Sequence, residues 1–263
     1  MISKFISLNQ RYMNLFPWQW ATKKKDVVLS FKFESTFDAD QLKSELEACL
    51  EIVAPKTQFD VYHNGGWGGI CLHALNGDPQ NDRGGPGKYD YTPLISKAPY
   101  IKSILDAIPG AKERVRILTK KPGTNVYWHT DENETFDKGF IRLHVPIVTN
   151  SNYEFQLSHE DCSWNPGELW YGDFSFPHRL RNLDKSEINA HLVIDVRVSD
   201  QTLEYLGKDF CELQAKQSDS RNSARNICNK YYSYYNFFFD LKRYRIIAQN
   251  KLLKFVKFGE PAP

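Results

Sequence analysis

The chain has 263 residues, 41% of them hydrophobic, and a formal net charge of +2 at pH 7. This length and apolar content predict one large domain with a substantial core. The sequence contains no run of roughly 18 apolar residues, as a membrane span requires, and no N-terminal apolar core typical of a signal peptide, so we expect a cytoplasmic protein.

The cysteines support the same compartment. They are odd in number, widely spaced and without a CxxC motif: Cys49, Cys71, Cys162, Cys211 and Cys228. This pattern is typical of a reducing compartment and not of a disulfide scaffold. We expect each to be a small buried side chain and assign none a role in chemistry.

A strand and a helix are predicted near the N-terminus. Residues 26–33 have the composition of a strand, and residues 37–53 have the pattern of a helix that Asp38 caps and Pro55 ends. The apolar stripe of this helix consists of Leu42, Leu46, Cys49 and Leu50. We expect the stripe to pack on the outside of the core, and the alternative is a helix that binds a partner.

Residues 64–88 are rich in glycine. A phosphate-binding loop would require a helix directly after the glycines and a P-loop lysine, and the segment has neither. Residues 70–75 within it resemble a strand. Two interpretations of the rest stay open: a substrate lid that carries Trp67 and Arg83, or a disordered surface loop.

A helix and a strand come next. The run Ala98-Pro99-Tyr100 is followed by a predicted helix that ends at Pro109-Gly110 and whose buried side has Ile101, Ile104, Leu105 and Ile108, and residues 114–118 predict a strand. Arg116 on this strand is a candidate substrate contact. The alternative is a solvated or salt-bridged charge at the rim of the fold.

The sequence YWHTD at 127–131 contains an imidazole and a carboxylate two residues apart. Residues i and i+2 of an extended chain point to the same side, so His129 and Asp131 can hold one metal ion. With His178 from a later strand they complete the 2-His-1-carboxylate pattern of non-haem Fe(II) oxygenases. We predict that these three residues bind one iron, with no catalytic residue beyond them, and that Trp128 is a candidate substrate contact.

Three later segments, 141–148, 164–173 and 190–198, read as short strands separated by turns. In the first, the apolar residues Ile141, Leu143, Val145 and Ile147 alternate with polar ones. Arg142 and His144 therefore share the other face, beside the proposed iron. The three strands predict an antiparallel jelly-roll barrel in a mainly β fold with flanking helices.

The runs PGTNVYWHTD, RLHVPIVTN, W-x-x-GELW-x-x-D-x-x-x-x-H-x-x-x-N and HLVIDV follow one another in this order. They resemble the aspartyl/asparaginyl β-hydroxylase family of Fe(II)- and 2-oxoglutarate-dependent dioxygenases, over about residues 90–200. The resemblance implies a double-stranded β-helix and oxidation of an unactivated C–H bond. Fe(II) is then the cofactor, and O2 and 2-oxoglutarate are cosubstrates, the latter being converted to succinate and CO2.

By the same resemblance, His129 and His178 match the family's two iron-binding histidines, and Asp131 fills the carboxylate position. The acid favours hydroxylation over halogenation, since halogenating relatives in the wider superfamily lack it. Arg142 and His144 match the pair that resembles the family's contact with the 2-oxoglutarate carboxylate next to the keto group, and the planar guanidinium suits a carboxylate.

One position departs from the family pattern. Many members have an arginine two residues before the histidine of HLVID, where it anchors the far carboxylate of 2-oxoglutarate, and this chain has Asn189. Asn189 itself can hydrogen-bond, while Arg179, Arg181 or Arg197 could supply the missing charge, and the choice among them stays open. His191 is a candidate for a cosubstrate contact or for orienting a ligand.

Residues 222–258 contain eight lysines or arginines, one acidic residue and ten aromatics. We expect a dioxygenase domain at 1–200, including the N-terminal strand and helix, and a basic, aromatic helical extension at 201–263. The favoured interpretation is a helical cap against the core or a second subunit. The alternatives are an arm that contacts an acidic partner or a membrane surface, and no nucleic-acid motif is present.

These observations lead to one expected activity with open alternatives. We expect a hydroxylase that acts on a small amino-acid or peptide-like substrate. The same iron site could instead perform desaturation or cyclisation. A non-catalytic jelly-roll binding protein is the alternative from another class, because Asn189 leaves the cosubstrate anchor unassigned.

Overall fold

The computed structural model describes residues 15–57, 62–131, 135–235 and 237. Its strands are β1 (Ser30–Thr36), β2 (Trp67–Leu75), β3 (Tyr89–Tyr91), β4 (Lys112–Lys120), β5 (Asn125–His129), β6 (Phe140–Val148), β7 (Tyr153–Leu157), β8 (Glu160–Asp161), β9 (Glu168–Gly172), β10 (His178–Asn182) and β11 (Asn189–Arg197). Its helices are α1 (Pro17–Lys24), α2 (Ala39–Leu50), α3 (Pro99–Ala107), α4 (Asp200–Leu206), α5 (Lys208–Lys216) and α6 (218–235).

Two antiparallel sheets make up the core of the fold. The larger has the order β1-β9-β6-β11-β4-β2-β3 and the smaller the order β5-β10-β7-β8. From β4 to β11 the chain passes back and forth between the sheets, which is the connectivity of a jelly roll. The predicted double-stranded β-helix with flanking helices is confirmed.

The main hydrophobic core lies between the larger sheet and the helices α2 and α3. Leu46 of α2 and Leu105 of α3 pack in one cluster with Leu143 of β6 and Leu192 of β11, and these side chains are at most 1% exposed. Successive side chains of a strand point to opposite faces. The residues that alternate with this core on β6 and β11 therefore face the smaller sheet, where the functional groups lie.

The N-terminal strand begins later than the sequence predicts, at Ser30 and not at residue 26. The backbone N–H of Val28 donates to the side chain of Gln217 at 2.8 Å, and that of Leu29 donates to Glu160 at 2.7 Å. Before Ser30, hydrogen bonds to side chains thus take the place of hydrogen bonds to a neighbouring strand. The predicted cap of α2 is confirmed, because Asp38 accepts hydrogen bonds from the first turn.

Part of the glycine-rich segment is a strand near the edge of the larger sheet. Strand β2 starts at Trp67, so Gly68 and Gly69 pair with β4 and do not belong to a loop. A Cβ atom at Gly69 would lie 2.9 Å from a methyl group of Leu118, and one at Gly68 would lie 3.1 Å from Pro55. Glycine is needed here for close packing, a role that the sequence does not distinguish from flexibility.

The described C-terminal helices pack against the body of the protein. In α6, Cys228 and Tyr232 are buried in an aromatic cluster with Trp18 of α1 and with Trp128, and the Tyr232 hydroxyl donates to the Trp128 carbonyl at 3.1 Å. This is the favoured helical cap for the part of 222–258 that the structure describes. Residues 236 and 238–263 lie outside the described residues, and contact of 222–258 with a second subunit stays a prediction. Among the described helices, none combines the length and apolar character of a membrane span.

The core cluster predicts which leucines hold the sheets in place. Replacing the fully buried Leu192 by alanine should lower the free energy of unfolding by about 3 kcal/mol, because it leaves a cavity. Urea denaturation measures this change. Leu183→Ala is the matched control, since that side chain is 51% exposed, and an equal loss in both variants would contradict the assigned core.

Candidate metal centre

The two sequence-predicted imidazoles meet across the smaller sheet. His129 ends β5, His178 begins β10, and the two residues are directly opposite in the strand register, with ring centroids 4.0 Å apart. Asp131 follows β5, where its backbone N–H donates to the Phe174 carbonyl at 2.8 Å. The Asp131 Oδ1 atom lies 4.0 Å from Nε2 of each histidine, and the ligand atoms of the three residues lie within 4.8 Å of one another.

Backbone carbonyls determine which ring nitrogen of each histidine faces the centre. Nδ1 of His129 lies 2.8 Å from the Tyr127 carbonyl, and Nδ1 of His178 lies 3.1 Å from the Phe176 carbonyl. Since a carbonyl can only accept, Nδ1 donates and Nε2 keeps its lone pair toward Asp131. Such outer hydrogen bonds orient metal-binding histidines.

Electrostatics keeps the three groups in the protonation states that a metal ion requires. Burial lowers the pKa of His178 to about 3 and also lowers the pKa of His129, so both rings are neutral at pH 7. Burial alone would raise the pKa of the Asp131 carboxyl, but the charge of Arg142 and the two imidazoles outweigh it and hold this pKa at about 2. Two neutral imidazoles and one carboxylate fit a divalent first-row metal ion.

A buried arginine contacts the carboxylate of Asp131. Its Oδ2 atom contacts Arg142, whose Nε and Nη2 atoms donate to the two oxygens of Asp195 at 2.7 and 3.0 Å. This bidentate contact orients the guanidinium and, through it, the carboxylate of Asp131. Arg142 therefore acts on the centre as a positioning residue in this structure.

Two more arginines contact the same carboxylate, that of Asp195. Arg114 and Arg116 approach it at 2.9 and 3.0 Å, and Arg116 also donates to Asp82 at 2.8 Å. With Arg142 and Asp131, three guanidinium groups face three carboxylates, so the charges of this buried network cancel. The arginines hold the pKa of the fully buried Asp195 far below its usual range against the opposing effect of burial.

A cavity of about 490 Å³ lies between the two sheets and contains the three candidate ligands. Of the other sequence-predicted residues, Trp67, Arg116, Arg142, His144 and His191 also line it. Both ring nitrogens of His144 and Nε2 of His191 have no hydrogen-bond partner among the described residues. These buried polar atoms are available to a bound molecule.

Several sequence-predicted residues lie away from this cavity. Arg83 is exposed on the loop after β2, and Arg197 is exposed and paired with Glu113 at 2.5 Å. Trp128 packs in the aromatic cluster on the far side of β5.

The two other arginines proposed as charge donors also have partners elsewhere. Arg179 donates to Gln156 and Arg181 to Glu154, each at 2.7 Å. Asn189 is buried beside the cavity, where it accepts from Lys120 at 3.3 Å. The structure therefore brings none of Arg179, Arg181 and Arg197 to the cavity.

Four charged residues in or beside the cavity were not predicted as site residues from the sequence: Asp82, Arg114, Lys120 and Asp195. Asp195 shares a strand face with His191, four residues earlier, but alternation alone gives it no role. Alternation on β4 could have placed Lys120 on the same face as Arg116, four residues earlier. Asp82 gave no such signal, because it lies in the loop after β2, whose path the sequence does not define.

The geometry predicts a loss of metal binding when either imidazole is removed. His178→Ala should weaken binding of Fe(II), measured by anaerobic titration calorimetry, by more than the 10- to 100-fold cost of losing an outer hydrogen bond. His159→Ala is the matched control, because that ring contacts Thr22 outside the cavity. Equal affinity of both variants for Fe(II) would contradict the ligand assignment.

The arginine network predicts that Asp195 matters for stability. Asp195→Asn leaves the buried arginines with one negative charge too few and should lower the free energy of unfolding by about 3–5 kcal/mol at pH 7. Chemical denaturation measures it against Asp219→Asn, an exposed position where a change below about 0.5 kcal/mol is expected. A similarly small effect at Asp195 would show that the network does not hold the sheets together.

Comparison with known proteins gives one curated relative that is similar in sequence. L-proline cis-4-hydroxylase of Rhizobium meliloti (strain 1021) is 26% identical over 165 residues, which are 60% of this chain and 57% of that protein. The chain thus matches little more than half the length of this curated relative.

Two solved structures are similar at lower identity. One is an oxidoreductase of the 2OG-Fe(II) oxygenase family from Burkholderia pseudomallei, with a TM-score of 0.47 and 13% identity over 69% of this chain and 90% of that one. The other is a Pseudomonas putida prolyl-4-hydroxylase, with a TM-score of 0.41 and 11% identity over 69% and 99% of the two chains.

A family model covers more than half of the chain. Residues 36–198 match the model described as aspartyl/asparaginyl beta-hydroxylase, a range that contains every strand from β2 to β11 and all three candidate ligands. The chain belongs to the aspartyl/asparaginyl β-hydroxylase family of Fe(II)- and 2-oxoglutarate-dependent oxygenases.

Proposed function

We propose that this protein is an Fe(II)- and 2-oxoglutarate-dependent dioxygenase that hydroxylates an unactivated C–H bond of a small amino-acid or peptide-like substrate. The observation that carries the proposal is the convergence of His129, Asp131 and His178, whose ligand atoms lie within 4.8 Å of one another inside a cavity. A cytoplasmic location is part of the same proposal and is supported by five free cysteines.

The three ligands would bind Fe(II) from one side. They come from neighbouring strand ends and line the cavity, so the side of a bound ion that faces the cavity would be left for exchangeable ligands. When bound, iron with 2-oxoglutarate and O2 supplies the oxidising chemistry, in which 2-oxoglutarate becomes succinate and CO2. The protein's own residues orient the ligands, through the Tyr127 and Phe176 carbonyls and Arg142.

Arg142 and His144 are proposed to contact the carboxylate of 2-oxoglutarate next to the keto group. Support comes from His144, because its two buried ring nitrogens face the cavity without a partner among the described residues. Arg142 already contacts Asp131 and Asp195. Arg142 would therefore have two roles, to position the iron ligand Asp131 and to contact the cosubstrate.

The amino-acid class of substrate is supported by paired charges on the wall of the cavity. Arg116 and Asp82 both line it and lie 2.8 Å apart. A free amino acid carries a carboxylate and an ammonium group, and these match the two side chains. Trp67 on the same wall would contact the apolar part of the substrate. The name of the proline hydroxylase relative suggests the same class.

This function predicts coupled turnover. The iron-loaded protein, incubated aerobically with 2-oxoglutarate and a panel of free amino acids that includes L-proline, should release succinate in step with a product that has gained one oxygen atom. His129→Ala should form neither, because an iron ligand is lost, and His73→Ala is the matched control outside the cavity. Mass spectrometry and succinate assay give the readouts.

Other outcomes would identify the alternatives. A product that has lost two hydrogens would indicate desaturation or cyclisation at the same iron. Iron binding without binding of 2-oxoglutarate would contradict the proposal and favour a non-catalytic binding protein.

A further inference from the structure

The cavity contains a lysine that the proposed function does not yet use. Lys120 ends β4, is 3% exposed and lines the cavity. Its side chain donates to Oδ1 of Asn189 at 3.3 Å, and the two residues are directly opposite in the register of β4 and β11. Among the described residues, Lys120 is part of no ion pair, whereas the cavity's arginines are balanced by carboxylates.

Residues near this ammonium group have buried polar atoms without a hydrogen-bond partner. Nδ2 of Asn189, Nε2 of His191 and the hydroxyl of Tyr153 are buried and have no hydrogen-bond partner in the described part of the chain. The Tyr153 ring lies 5.8 Å from the Lys120 Nζ atom and 5.7 Å from the His191 ring. The lysine ammonium, the asparagine amide and the tyrosine hydroxyl can all donate, so together they are complementary to an oxygen anion.

A buried cation without an anion is unfavourable. Burial lowers the pKa of Lys120 to about 7, and no acidic group offsets this effect. A bound carboxylate would supply the missing charge and would accept the available hydrogen bonds. The cost of this lysine to the ligand-free protein indicates a binding role and not a structural one.

The lysine and the metal centre belong to one cavity. From His178 the lining continues through Phe174, 4.9 Å away between ring centroids, to His144 at a further 4.7 Å. His191 lies 5.9 Å beyond His144 and faces Lys120 and Tyr153. The candidate metal ligands and Lys120 therefore line the same cavity, so a molecule bound at the metal would share that cavity with the lysine.

We propose that Lys120, assisted by Asn189, binds the far carboxylate of 2-oxoglutarate and selects a dicarboxylate over 2-oxo acids that lack the second acid group. The inference rests on the proposed function, since it assigns a residue to that cosubstrate. Lys120 on β4 and Asn189 on β11 are paired residues of neighbouring strands. In this chain β4 therefore supplies the positive charge, and Asn189 supplies the amide group beside it.

The test uses Lys120→Met in the full chain loaded with Ni(II), a redox-inactive stand-in for Fe(II). Titration calorimetry measures binding of 2-oxoglutarate and of 2-oxopentanoate, which has the same chain length and a methyl group in place of the far carboxylate. Wild type should prefer 2-oxoglutarate strongly. The variant should bind 2-oxoglutarate about 100-fold more weakly, while its affinity for 2-oxopentanoate changes little.

Lys121→Met is the matched control, because the neighbouring lysine is exposed and its loss changes the net charge equally. Thermal unfolding of the metal-free proteins gives a second readout. Lys120→Met should unfold at a higher temperature than wild type, since a buried unpaired cation is removed, and Lys121→Met should not. Unchanged preference for 2-oxoglutarate in Lys120→Met would overturn the inference.

Proton uptake in the wild type provides a measurement that needs no variant. At pH 8 the ligand-free lysine is mostly neutral, because its pKa is about 7, and a bound carboxylate should raise that pKa. His144, His191 and Tyr153 face the same space from β6, β11 and β7, and burial keeps all three neutral at this pH. Calorimetry in buffers of different ionisation enthalpy should show most of one proton taken up with 2-oxoglutarate and none with 2-oxopentanoate.

The outcomes separate the two proposals. Failure of the Ni(II)-loaded wild type to bind 2-oxoglutarate would contradict the proposed function itself. Binding in the wild type with equal proton uptake for both ligands, or with equal selectivity in Lys120→Met, would contradict only the role of Lys120.

Discussion

The whole site depends on one cross-strand pair. His129 and His178 face each other where β5 and β10 meet, and each Nδ1 atom is directed at the backbone carbonyl of the residue two positions earlier in the chain. The pairing of the smaller sheet therefore sets the ring separation, and the backbone sets the tautomer. Asp131 lies directly after β5, and this position brings its carboxylate next to the two imidazoles. A metal centre built in this way is as rigid as the sheet that carries it.

Charge balance explains why so many ionic groups can be buried around this pair. The three arginines and three carboxylates between the sheets cancel, and the hydrogen bonds to Asp195 satisfy its two oxygens. Fe(II) and 2-oxoglutarate carry opposite double charges, so together they enter the cavity without net charge. Lys120 lies outside this balance, and its proposed partner is the far carboxylate of 2-oxoglutarate, whose negative charge it shares with the metal ion.

Sequence analysis predicted the parts of the site that follow a fixed periodicity. His129, Asp131 and the inward side of β6 follow from the two-residue repeat of extended chain, and family motifs located His178. The anchor of the far carboxylate did not follow, because opposition of Lys120 and Asn189 is a property of strand register between distant segments. Local patterns contain no information on such register.

The most direct test of the ligand assignment is a crystal structure of the protein grown with Fe(II) under anaerobic conditions, or with a redox-inactive divalent ion in its place. We expect a single anomalous peak between the sheets, from a metal ion bonded to Nε2 of His129, Nε2 of His178 and the carboxylate of Asp131. A metal ion bound elsewhere, or one that reaches only two of these side chains while the third is directed away, would contradict it.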